Sequence, residues 1–169
     1  MSWSGHWHGC GPWIGPSKVY GQEGGRRPPH PNGAPSVLDL ENKQQVDLLN
    51  RYREAASEFQ NGDVPPTMTG YWLMKKQLAS GERTWSDLGA ALAWLTKVYE
   101  ANPPFERADG LKAYSSLEEK LEYAEDVLPR GVDVSWVHYL ASENLASFSV
   151  VCCPNRFHPD IPCPFNPTV

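Results

Sequence analysis

The sequence has 169 residues, a hydrophobic fraction of 40% and a formal net charge of -5 at pH 7, which together fit one globular domain with its own core. Acidic residues outnumber basic ones by 20 to 15, which argues against direct nucleic-acid binding. No apolar run approaches the roughly 18 residues that a membrane-spanning helix needs, and no secretory signal pattern opens the chain. We therefore expect no transmembrane segment, and the compartment stays open.

Proline and tryptophan are frequent, at 16 and seven residues; the prolines cluster in 12–35 and 154–167, and three tryptophans fall in the first 13 residues. Glycine and proline break the first 35 residues so often that neither a helical nor an alternating apolar pattern survives. We predict an extended N-terminal arm over 1–35, a helical domain over 36–151 and a Cys/Pro-rich tail over 152–169. Aromatic rings in such arms are expected to pack on partner proteins, and these are Trp3, Trp7, Trp13, Phe157 and Phe165.

Apolar spacing in the middle of the chain predicts four or five short helices. The first begins at an N-cap at Ser36 and ends near Asn61-Gly62, and the second covers about 67–80. The third is capped at Thr84 and ends before the prolines that follow residue 102. The fourth begins with a capping box at Ser115 or Ser116 and ends at Pro129.

A fifth helix is predicted from Asp133 to about Phe148, although the alternation over 132–136 also suits a short strand. The fold class is therefore predicted as mainly α, a compact bundle or a stack of helical hairpins flanked by the two extended arms. Four tryptophans are expected in its core: Trp72, Trp85, Trp94 and Trp136.

Possible metal ligands lie at both ends of the chain. The N-terminal group comprises His6, His8 and Cys10, and the C-terminal group comprises Cys152, Cys153, His158 and Cys163. Structural zinc takes four Cys or His ligands in a tetrahedron, usually as two short-spaced pairs that the fold brings together. We expect that a zinc or copper site, if one forms, joins the two termini.

The same cysteines allow two other interpretations. A disulfide between Cys153 and Cys163 would close a proline-stiffened loop, and a second between Cys10 and Cys152 would tie the arm to the tail. Alternatively, all four cysteines are reduced, buried thiols that act as small apolar groups. The sequence does not choose among these arrangements.

No phosphate-binding loop, dinucleotide fingerprint, nucleophile elbow or zinc-protease helix motif occurs. The carboxylates over 118–126 are expected on a solvated helix face. We therefore expect no enzyme and no cofactor. The favoured function is a non-catalytic accessory subunit whose arms pack on other protein subunits, with a mitochondrial-type respiratory or ATP-synthase membrane complex as the assembly class. The alternative is a small metalloprotein with a zinc or copper site that joins the termini.

Overall fold

The computed structural model describes residues 2–30 and 33–167, and within them helices pack on a four-stranded antiparallel sheet. The strands are β1 (His6–Gly15), β2 (Thr84–Trp85), β3 (Val134–Tyr139) and β4 (Leu145–Cys153). The α-helices are α1 (Ser17–Tyr20), α2 (Glu23–Arg26), α3 (Lys43–Asn61), α4 (Leu88–Ala101) and α5 (Leu117–Val127). Short 3-10 segments occupy Thr69–Met74, Lys76–Leu78, Gly81–Arg83 and Leu128–Arg130.

The predicted mainly α class is wrong, because a four-stranded sheet forms the centre of a mixed α/β fold. Its strand order is β2-β1-β4-β3, so the segment predicted as a free N-terminal arm supplies a central strand. β1 runs antiparallel to β4, with His6 opposite Cys153 and Gly15 opposite Leu145. A register shift between Cys10 and Trp13 accommodates the Gly-Pro pair within β1.

The predicted fifth helix is instead the hairpin of β3 and β4. The Leu140 N–H donates to the carbonyl oxygen of Asn144, and the N–H of Glu143, which has a positive φ of 68°, donates to the carbonyl oxygen of Leu140. β3 alternates between core and solvent, which is the period-two pattern of a half-buried strand. Every residue of β4 is buried. A strand covered on both faces has no solvent-facing row of charged residues, and the small and apolar residues of β4 also suit a buried helix.

The other helix predictions are correct to different degrees. α5 begins with the predicted capping box of Ser116 and Glu119. α4 is capped by Asp87 rather than Thr84, because Thr84 belongs to β2. α3 begins after an Asn42 cap and not at Ser36. The region predicted as the second helix forms only 3-10 turns.

Each face of the sheet buries a separate apolar cluster. α4 and α5 cover one face, where Trp7, Trp136 and Phe148 lie in the larger cluster. The opposite face holds a smaller cluster that consists of Cys10, Trp72, Leu73, Val151 and Cys153, with Ile161 and Cys163 of the tail packed against it. The C-terminal tail therefore folds back over the sheet.

The N-terminal tryptophans and α3 differ sharply in burial. Trp7 and Trp13 are buried within the chain, and Trp3 lies 5.5 Å from Trp7 between ring centroids. α3 buries only Phe59 among its 19 residues.

Among the described residues, no helix is both long and apolar enough to cross a bilayer.

Candidate metal centre

His6 and His8 project from the same face of β1. Side chains two residues apart on a strand point to the same side, so this spacing brings both imidazoles over the smaller cluster. Their Nε2 atoms lie 3.1 Å apart. Trp7 between them points to the opposite face, where its indole N–H donates to the carbonyl oxygen of Leu128 at 3.3 Å.

Two cysteines complete the cluster from the other end of the chain. Cys153 closes β4 directly opposite His6, so antiparallel pairing places it on the same face. Cys163 arrives from the tail, with its Sγ 3.2 Å from His6 Nε2 and 3.5 Å from His8 Nε2. The four ligand-type atoms all lie within 4.8 Å of one another.

The three distances among His6, His8 and Cys163 are close to the edges of one face of a tetrahedron around a zinc ion. With Zn–N near 2.05 Å and Zn–S near 2.3 Å, those edges are about 3.3 Å between two nitrogens and about 3.5 Å between nitrogen and sulfur. The corresponding values here are 3.1 Å for the histidine pair, and 3.2 and 3.5 Å from Cys163 to the histidines. Two nitrogens and two sulfurs are a typical donor set for structural zinc.

Burial lowers the pKa of the two histidines and raises the pKa of Cys153. It lowers the pKa of His6, and with the charge of His6 it lowers the pKa of His8 to about 4, so both imidazoles are neutral at pH 7. Burial and the neighbouring Cys163 thiol raise the pKa of Cys153. The neutral histidines can thus donate lone pairs to a cation, whereas cysteine ligands bind a metal only as thiolates.

A hydrogen bond to β2 orients His8. Its Nδ1 lies 2.9 Å from the hydroxyl oxygen of Thr84, which pairs with His8 in the sheet. Both side chains are buried, at 2% and 8% exposed. Thr84 was predicted only as a helix cap, since nothing in the sequence reveals that residues 8 and 84 are paired.

A polar network fixes the turn that leads from β4 to Cys163. The Asp133 carboxylate accepts from the Cys152 N–H at 2.7 Å and from the Asn155 amide at 2.8 Å. The Asn155 side-chain oxygen accepts from the N–H groups of Phe157 and His158, both at 3.1 Å. Burial raises the pKa of Asp133, although these hydrogen bonds oppose the shift. Asn155 thereby orders the tail on its way to the cluster.

The structure places the other three predicted ligands outside this cluster. Cys10 lies on the same face of β1 as His8 but two residues further along the strand, opposite Ser149. Cys152 points into the larger apolar cluster, on the face opposite Cys10. His158 stacks on Tyr71 with ring centroids 4.6 Å apart. All four cysteines are free thiols, and burial raises the pKa of Cys10 and of Cys152.

Comparisons with protein-family models, with curated proteins and with solved structures found no match.

Proposed function

We propose that this protein is a small metalloprotein that binds one structural zinc ion through His6, His8, Cys153 and Cys163. The convergence of four ligand-type atoms within 4.8 Å is the observation that carries the proposal. Four protein ligands leave no open coordination position, and a closed site is typical of structural rather than catalytic zinc.

The protonation state of this cluster decides between hydrogen bonding and metal binding. At neutral pH each imidazole carries one proton, and His8 has its proton engaged at Nδ1 with Thr84. Its Nε2 can then only accept, and it faces His6 Nε2 at 3.1 Å and Cys163 Sγ at 3.5 Å. Once His6 carries its proton on Nδ1 and the thiols are deprotonated, the lone pairs of nitrogen and sulfur face one another, and a divalent cation that accepts nitrogen and sulfur ligands would satisfy them together.

The zinc ion would connect three distant parts of the chain. His6 and His8 lie on β1, Cys153 ends β4, and Cys163 belongs to the tail. Binding would tie the tail to the sheet, so we expect the free energy of zinc binding to add to folding stability.

The test is reconstitution of the reduced chain with zinc, followed by native mass spectrometry and elemental analysis. We expect one zinc per chain with all four thiols reduced, and a lower melting temperature after chelation. Cys163→Ala and His6→Ala should weaken zinc binding by more than about 100-fold, beyond the usual effect of outer-shell changes.

Cys10→Ala and His158→Ala are matched controls, because they remove the same residue types from outside the cluster. Both should retain one zinc. The proposal is overturned if the reduced wild-type chain takes up no zinc, or if the protein isolated under native conditions carries a Cys153–Cys163 disulfide in place of metal. Stoichiometric copper in place of zinc would also refute the assigned metal.

We also propose, as a second function, that the chain is a subunit of a larger assembly. The support comes from α3 and the segment before it, where Leu38, Leu40 and Leu48 are 89%, 86% and 55% exposed. Phe157 and Phe165 of the tail are 64% and 37% exposed, whereas Trp7 and Trp13 are used in the chain's own core. Apolar side chains exposed to this degree favour a protein partner.

Limited proteolysis tests the second proposal. Cleavage within 36–61 should be rapid in the isolated chain and slow in the protein extracted natively from its source. Equal cleavage rates in the two preparations, with the chain monomeric in both, would refute it.

A further inference from the structure

We propose that Thr84 is a positioning residue for the metal, which fixes the tautomer of His8 so that Nε2 is the ligand atom. This inference rests on the proposed zinc site and identifies the residue outside the ligand set that controls its affinity. The assignment follows from the direction of two hydrogen bonds.

The first hydrogen bond sets the direction of the Thr84 hydroxyl. Thr84 Oγ1 lies 2.8 Å from the carbonyl oxygen of Ser80, which can only accept. The single hydroxyl proton must therefore point at Ser80, since two oxygen lone pairs would otherwise face each other at this distance. The same Oγ1 can then only accept from a second partner.

That second partner is His8 Nδ1, at 2.9 Å. Because Oγ1 accepts, the proton of the neutral imidazole is on Nδ1 and the lone pair is on Nε2. Nε2 is the atom that faces the cluster, 3.1 Å from His6 Nε2 and 3.5 Å from Cys163 Sγ. The relay from Ser80 through Thr84 thus presents the correct lone pair before any metal arrives.

The relay is built into the sheet and is not a surface contact. Thr84 lies opposite His8 in the pairing of β1 with β2. Both residues are nearly excluded from water, so no solvent molecule replaces the hydroxyl at low cost. His6 differs, because among the described residues only its Nε2 makes hydrogen bonds. Histidine ligands that donate their second N–H to a fixed acceptor typically lose about 10- to 100-fold in metal affinity when that acceptor is removed.

The experiment compares three variants by zinc competition against a chromophoric chelator, with cobalt absorption to report tetrahedral thiolate coordination. Thr84→Val keeps the branched shape and removes the hydroxyl, so we expect affinity to fall by about 10- to 100-fold. Thr84→Ser keeps the hydroxyl and should stay near wild type. Thr96→Val is the matched control, because it removes a threonine hydroxyl that bonds only within α4, to Leu92 at 3.0 Å.

Nitrogen NMR of the His8 ring supplies a measurement that a purely packing role would not change. In the wild-type chain we expect the proton on Nδ1 and, after zinc addition, metal at Nε2. In Thr84→Val the metal-free ring should move towards the Nε2–H tautomer that free histidine prefers.

Each outcome supports or overturns the role assigned to Thr84. Unchanged affinity in Thr84→Val overturns the inference, and so does an equal loss in Thr84→Val and Thr84→Ser. If Thr84→Val fails to fold, the wild-type ring decides, because a proton on Nε2 or metal at Nδ1 refutes the assignment. Failure of the wild-type chain to bind zinc refutes the proposed function itself, which is a separate result.

Discussion

At the scale of single residues, the candidate site depends on which way each side chain points. The sequence supplied seven possible ligands, and strand geometry selects four of them. His6 and His8 share a face because they are two apart, and adjacent Cys152 and Cys153 point to opposite faces. The pool of ligands was therefore predictable, but the selection needed the pairing of β1 with β4, which no local pattern encodes.

Lys75 is the other unusual residue at this scale, because it is 2% exposed and forms no ion pair within residues 2–30 and 33–167. Its Nζ donates to the carbonyl oxygens of Phe59 at 2.5 Å and Gly62 at 2.9 Å, and lies 4.0 Å from the Phe59 ring centroid. These carbonyls lie at the end of α3, so Lys75 holds that end to the body of the protein. Burial lowers its pKa to about 8, although the charge of Asp63 opposes the shift.

We predict that Lys75 makes stability increase between about pH 8 and pH 10.5. In this window the unfolded chain binds the proton that the folded chain has lost, so the free energy of unfolding from this group rises with pH. Lys75→Met should remove that increment and, by leaving two carbonyls without their donor, lower stability by about 1–3 kcal/mol. Urea unfolding of the wild-type and Lys75→Met chains between about pH 8 and pH 10.5 measures the free energy of unfolding of each. Parallel pH profiles of the two chains would contradict the prediction.

At the scale of elements, the sequence predictions were wrong where one local pattern suits two kinds of secondary structure. α5 was predictable because Ser116 and Glu119 form a capping box that acts within one turn. β4 was not, since its small and apolar residues also suit a buried helix. β1 was hidden for another reason. Its glycines and its proline suggest a loop, and only pairing on both sides makes it a strand.

The hairpin connection provides a prediction at this scale. Glu143 has a φ of 68°, a left-handed conformation that costs a residue with a Cβ roughly 1–2 kcal/mol. Glu143→Gly should remove this cost. The greater freedom of glycine in the unfolded chain offsets about 0.5–1 kcal/mol of the gain in stability. We expect a net gain of about 0.5 kcal/mol in the free energy of unfolding, measured by urea denaturation.

Glu143→Ala is the control for this change. It removes the same exposed carboxylate but keeps the Cβ, so it should not raise stability. A gain of equal size in both variants would show that charge and not backbone conformation limits the turn.

At the scale of the whole molecule, the two ends of the described chain are joined while α3 stands apart. β1 pairs with β4, the tail packs on the face that they share, and the candidate metal site connects all three. α3 buries one side chain, and Lys75 donates to a carbonyl oxygen near its C-terminal end. The candidate metal site and the largely exposed α3 lie in different parts of the chain, so the two proposed functions are compatible.

The position of β1 also determines the order of events during synthesis. β1 leaves the ribosome long before its main partner β4, with residues 16–144 between the two strands. At about 5–20 residues per second, the strand waits on the order of ten seconds with Trp7 and Trp13 uncovered. The sheet is completed only when β4 emerges, and the metal ligands are complete only when Cys163 follows ten residues after Cys153. Nascent chains stalled before β4 therefore lack the main partner of β1 and leave its backbone and tryptophans open to non-native contacts.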